Sequence, residues 1–109
     1  MVEMTLEGWT DCEQEIARTA FNTAYQRSID RLVLDVRSQC DNLNDADSVW
    51  KLHDFLSIQR HIIEGRFDFR LDGILFVFAS LVKDQLLKVE ELDGLDAGKL
   101  AKIKAMALF

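Results

Sequence analysis

The chain has 109 residues, a net charge of −6 and no basic run, which excludes the electrostatic footprint of a nucleic-acid or anionic-membrane binder. Its length suits a single domain over 1–109, and proline is absent, so long unbroken helices are permitted. The most apolar run, Ile74–Val82 with only Ser80 interrupting it, is far short of the ~20 residues that span a bilayer, so no membrane insertion is expected.

Residues 1–10 show no clear period and are expected to be flexible; MVEMTLEGW carries acid and lacks the apolar core of a signal peptide. Thr10 or Asp11 caps a first helix, with Glu13 in its acidic first turn. Phe21, Tyr25, Ile29, Leu32, Val36, Cys40 and Leu43 then recur at spacings of three and four, up to a turn at 42–45. A helix of about 30 residues is roughly 45 Å long, too long for a globule with a radius of gyration near ~13 Å. Such a helix needs an antiparallel neighbour or a second chain along its seam. Cys12 and Cys40 lack metal or redox spacing, and without an export signal they are expected to be reduced thiols of a cytoplasmic protein.

Asp45, Asp47 and Ser48 supply caps for a second helix, VWKLHDFLSIQRHIIEGR over 49–66, which ends at Glu64-Gly65. At about 100° per residue, Val49, Leu52, Phe55, Leu56, Ile58, Ile62 and Ile63 fill an arc of roughly 180°, wide enough to face two partners. Trp50, His53, Asp54, Ser57, Arg60, His61 and Glu64 share the other side, within about 120°. A tryptophan among donors and acceptors has the composition of a recognition surface rather than of a solvated face.

A third helix, capped by Asp68, shows a core stripe of Leu71, Ile74, Leu75, Phe78, Val82, Leu86 and Val89. Phe76, Ser80, Lys83 and Leu87 lie opposite it, either beneath a fourth helix or as a contact patch. Asp96 caps the fourth helix, Ala97–Leu108, whose apolar face is Leu100, Ile103 and Ala107, ringed by Lys99, Lys102 and Lys104. The residues alone therefore describe an all-α chain: one long N-terminal helix and three shorter ones in an elongated, homodimeric bundle.

No chemistry of catalysis or metal binding emerges. His61-x-x-Glu64 resembles the Glu-x-x-His pairs of di-iron bundles but is reversed and single. His53 and Asp54 point about 100° apart and make no His–carboxylate dyad. No phosphate loop, nucleophile elbow or zinc pattern is present. The chain is read as a non-enzyme without catalytic, cofactor or metal residues.

At WKLHDFLSIQRHIIEGRFD the sequence closely resembles the fluorescence recovery proteins of cyanobacteria. The resemblance extends through Ala24-Tyr25-Gln26-Arg27, ILFVFA at 74–79, Glu90-Glu91-Leu92 and Lys102-Ile103-Lys104-Ala105. It covers the chain from Trp9 onward; Arg66-Phe67 stands where a Lys-Tyr type pair is expected, which keeps charge and aromaticity. The resemblance implies a homodimeric regulator of photoprotection. Such a protein binds the red, light-activated orange carotenoid protein through that partner's C-terminal domain, helps detach it from the phycobilisome and accelerates its return to the orange form. The carotenoid is the partner's, so no cofactor is expected here; the place of action is cytoplasmic, at the thylakoid face through the phycobilisome-bound partner. By resemblance, Trp50, His53, Asp54 and Arg60 belong to the functional surface near the dimer contact, and Phe76 and Lys102 match partner-contact positions. Val49, Leu52 and Leu56, with Trp50, are assigned to the dimer seam. The alternative is a structural all-α homo-oligomerisation module with a different protein partner.

Overall fold

The computed structural model describes residues 8–109. Helix α1 runs Asp11–Cys40, α2 Ala46–Arg66, α3 Ile74–Lys83 and α4 Ala97–Ala107, with a 3₁₀ turn at Val89–Leu92 between α3 and α4. No β-strand occurs among the described residues. The radius of gyration is 17.4 Å and the extents are 60 × 32 × 17 Å, so the long first helix does project as its length requires.

Both long helices begin where local chemistry says they should. Thr10 caps α1: its Oγ1 accepts from the Glu13 N–H at 3.1 Å while Glu13 Oε1 accepts from the Thr10 N–H at 3.2 Å. Asp45 caps α2 in the same reciprocal way, its Oδ1 accepting from the Ser48 N–H at 2.8 Å.

The core forms a head. Ala17, Ala20, Phe21 and Ala24 on the first half of α1 pack with Ile74, Phe78, Ala79 and Leu81 of α3, Leu92 and Leu95 around the 3₁₀ turn, and Ile103 of α4. The small alanine faces let these elements approach closely. Beyond Ala24, α1 leaves the core and pairs with α2 as a two-helix arm. Expectation and structure agree on Phe21; Ile29, Leu32 and Val36 are half-buried against the arm, whereas Tyr25, Cys40 and Leu43 are exposed. Phe67 and Phe69, which link α2 to α3, meet the Phe21 ring edge-on at 5.4 and 5.1 Å.

Three expectations need correction. The flexible opening placed over 1–10 falls partly on 1–7, outside the described residues. Trp9, however, is only 7 % exposed, with Lys99 Nζ 4.2 Å from its ring centroid. The third helix does not start at an Asp68 cap: Asp68 pairs with Arg70 at 3.1 Å, and α3 starts after Gly73 with no side-chain cap. Nor does it reach Val89. The Leu86 N–H donates to Leu81 O at 2.9 Å and the Gln85 N–H to Val82 O at 3.0 Å, a Schellman closure with Gln85 at φ 62°. The chain therefore leaves the helix before Leu87. That residue is 2 % exposed inside the core instead of lying opposite it with Phe76.

Candidate functional site

Among the described residues of α2 only Ile63 is buried, at 9 % exposure, so the arm's wide apolar arc is largely uncovered within one chain. Leu52 and Phe55 are half-buried against α1, whereas Val49, Leu56, Ile58 and Ile62 are exposed. Val33 and Leu34 of α1 are exposed as well. Uncovered apolar residues in this number mark a contact with another macromolecule.

The polar stripe stands beside it. Trp50 is 64 % exposed. His53 Nδ1 lies 3.4 Å from Asp54 Oδ1, so these neighbours do meet at the surface despite their different headings. Arg60 Nε donates to Glu64 Oε1 at 3.1 Å, and Lys51 pairs with Asp47 at 2.9 Å. Exposed pairs of this type contribute at most about 0.5 kcal/mol each, so they can exchange for intermolecular partners at small cost.

The remaining candidates lie on the head. Phe76 on α3 is 72 % exposed and flanks a groove of about 390 Å3 that Met106 and Phe109 also line. Lys102 is exposed on α4, one turn before Met106. Trp50 and Arg66 are 16 positions apart in α2, about 24 Å along the helix axis. One chain thus presents two separate candidate surfaces, the α2 stripe and the Phe76–Lys102 region, and does not merge the six residues into one site.

Reading the sequence missed the contacts that fix these surfaces. Arg66 closes α2 onto α3: its Nη2 donates to Ser80 Oγ at 2.7 Å and to the Asp84 carboxylate. Arg27 grips Glu91 through both oxygens at 2.6 and 2.7 Å and also donates to Leu86 O at 3.2 Å. That bidentate pair, outweighing the effect of burial, holds the Glu91 carboxyl down at about 2. The pairing joins residues 64 positions apart, for which local spacing carries no signal. Among the described residues no group of three or more His, Cys, Asp or Glu side chains could hold a metal, and no helix is long and apolar enough to cross a membrane.

The family described as photoprotection regulator fluorescence recovery protein matches residues 9–107. The chain belongs to the fluorescence recovery protein family. A family member from Synechocystis sp. is 44 % identical over 107 residues, covering 98 % of each chain. The solved fluorescence recovery protein of Fremyella diplosiphon superposes with a TM-score of 0.88 at 42 % identity, covering 93 % of this chain and 99 % of that one. The Synechocystis structure gives the same TM-score, 0.88, at 46 % identity and the same coverage. The all-α architecture of one long and three shorter helices is thus the family's, and photoprotection is its field of action.

Proposed function

We propose that this chain is a non-enzymatic regulator that acts as a homodimer on orange carotenoid protein. It binds the light-activated red form through the C-terminal domain, promotes detachment from the phycobilisome, and accelerates return to the orange form, restoring antenna fluorescence. Membership of the fluorescence recovery family supports the photoprotective setting. The observation that carries the reading is the uncovered face of α2, where apolar Val49 and Leu56 border Trp50, His53, Asp54 and Arg60. Val49, Leu52 and Leu56, with Trp50, pack against a second copy. Trp50, His53, Asp54 and Arg60, with Phe76 and Lys102 on the head, engage the carotenoid protein. The carotenoid stays with that partner, the chain itself carries no cofactor, and the work is done in the cytoplasm on phycobilisome-bound partner at the thylakoid face.

Reversion is a two-state problem in the partner. An accelerator must stabilise the barrier between red and orange forms more than it stabilises the red form, because tight binding to the red form alone slows recovery. A tenfold acceleration needs only about 1.4 kcal/mol of differential stabilisation. One buried aromatic anchor and one charge-assisted hydrogen bond supply that much. The test is the dark recovery of photoactivated orange carotenoid protein, followed by absorbance with and without this chain. Faster return to orange at substoichiometric amounts is expected. No change over a wide concentration range would leave an all-α homo-oligomerisation module.

A further inference from the structure

The end of α3 is a fixed post on which both arm helices are fastened. Leu81 and Leu86 bury it in the core. From α1, Arg27 Nη1 donates to Leu86 O at 3.2 Å and Arg31 Nη2, one turn further on, to Asp84 O at 3.4 Å. From α2 comes Arg66 alone. Its Nε and Nη2 donate to Ser80 Oγ at 3.1 and 2.7 Å, and Nη2 also reaches Ser80 O at 3.3 Å and the Asp84 carboxylate. Among the described residues no other α2 side chain hydrogen-bonds to the head. The rest of the hold on α2 is sparse, since it buries only Ile63. The Phe67 ring, edge-on to Phe21 and Tyr25 at 5.4 and 5.2 Å, fixes where α2 ends. Apolar contact is non-directional, however, and leaves rotation of α2 about its own axis to be set by something else. A guanidinium fork is directional and sets it.

We propose that Arg66 is a positioning residue of the partner-binding surface. By locking the end of α2 to the end of α3, it fixes the rotation of α2 and so the heading of Trp50, His53, Asp54 and Arg60 relative to the head. The proposal rests on the carotenoid-protein reading and extends it to a residue that itself touches no partner. Side chains reach about 5–6 Å from a helix axis, so a rotation of about 20° moves their outer atoms by about 2 Å. That is enough to take a hydrogen bond out of range. A side chain at the far end of the helix, about 24 Å from Arg66, turns with it because α2 is unbroken from Ala46 to Arg66.

The experiment titrates the full-length chain and its variants against photoactivated orange carotenoid protein. Arg66→Gln and Asp84→Asn, each of which removes the ion pair, are expected to weaken binding by about tenfold, and Arg66→Lys to keep affinity within about threefold. Asp84→Asn keeps the fold, because its side chain is half exposed, and so serves where Arg66→Gln is too unstable to measure. Two further substitutions, made in the wild type and in the lock variant, separate positioning from mere support of the fold. Phe76→Ala, on the head, should cost the same factor in both backgrounds. Arg60→Ala, on α2, should weaken the wild type by about tenfold but the lock variant by less than about twofold, since the α2 surface is already misaligned there. Failure of the wild type to bind overturns the carotenoid-protein reading itself. Wild-type binding with unchanged affinity in both Arg66→Gln and Asp84→Asn, or an equal cost of Arg60→Ala in both backgrounds, overturns the positioning role alone.

Discussion

Glu13 Oε1 accepts a hydrogen bond from Lys99 Nζ at 2.9 Å, tying the first turn of α1 to the first turn of α4 across 86 positions of sequence. The other oxygen accepts from the Asp96 N–H at 2.8 Å, so one carboxylate serves the beginnings of two helices. Burial pushes this carboxyl up, but the Lys99 ammonium and the Asp96 and Thr10 N–H groups outweigh it, and it is held at about 2 against an ordinary 4.5. A carboxyl depressed in the folded state stabilises the fold above its unfolded value and loses that contribution as pH falls towards its folded value. Thermal stability is therefore expected to decline from pH 4.5 towards pH 2, and the Glu13→Gln variant to show a shallower decline. At neutral pH Glu13→Gln should cost about 3 kcal/mol, since it leaves the largely covered Lys99 ammonium without its counter-charge. Melts by circular dichroism over this pH range check both.

Val49→Glu is expected to turn the proposed homodimer into a monomer. The substitution sets a carboxylate in an apolar seam, where desolvation is unfavourable, yet Val49 is exposed in the single chain, so helix content should be kept. Sedimentation equilibrium reads the mass, and an unchanged dimer mass would remove Val49 from the seam.

Phe76→Ala should weaken binding of photoactivated orange carotenoid protein by about 2 kcal/mol, the usual loss on truncating an aromatic anchor. Because the ring is so exposed, stability should change by less than about 0.5 kcal/mol. A large fall in melting temperature would show that the ring supports the core.

Gln85→Gly is expected to stabilise the chain by about 0.5–1 kcal/mol. Gln85 holds a left-handed conformation at φ 62°, which glycine adopts without steric penalty. Chemical denaturation measures the gain. A loss would mean that the glutamine side chain contributes more than its backbone strain costs.

The sequence made the helices legible through caps and spacing. Thr10 and Asp45 announce α1 and α2, and the shared face of Trp50, His53, Asp54 and Arg60 follows from α2 being one unbroken helix. The end of α3 was illegible because its left-handed closing residue is Gln85 and not glycine, while Leu86, Leu87 and Val89 continue an apolar pattern past it. The three residues pack from a loop and a 3₁₀ turn, where helical spacing has no meaning. The groove at Lys83 and Phe109 joins positions 26 apart, and its existence depends on how α4 lies against α3.

Helix α1 passes without interruption from the head into the arm, so no hinge separates the two parts along that strand of the chain. The azimuth of Trp50 and its neighbours relative to Phe76 is thereby geared to a residue count. Adding one residue after Ala24 would rotate the α1 half of the arm by about 100° about its axis and advance it by about 1.5 Å. The same addition in the connection between α1 and α2 would leave that gearing alone. Across the family, lengths should accordingly vary at the tip of the arm and stay fixed within α1.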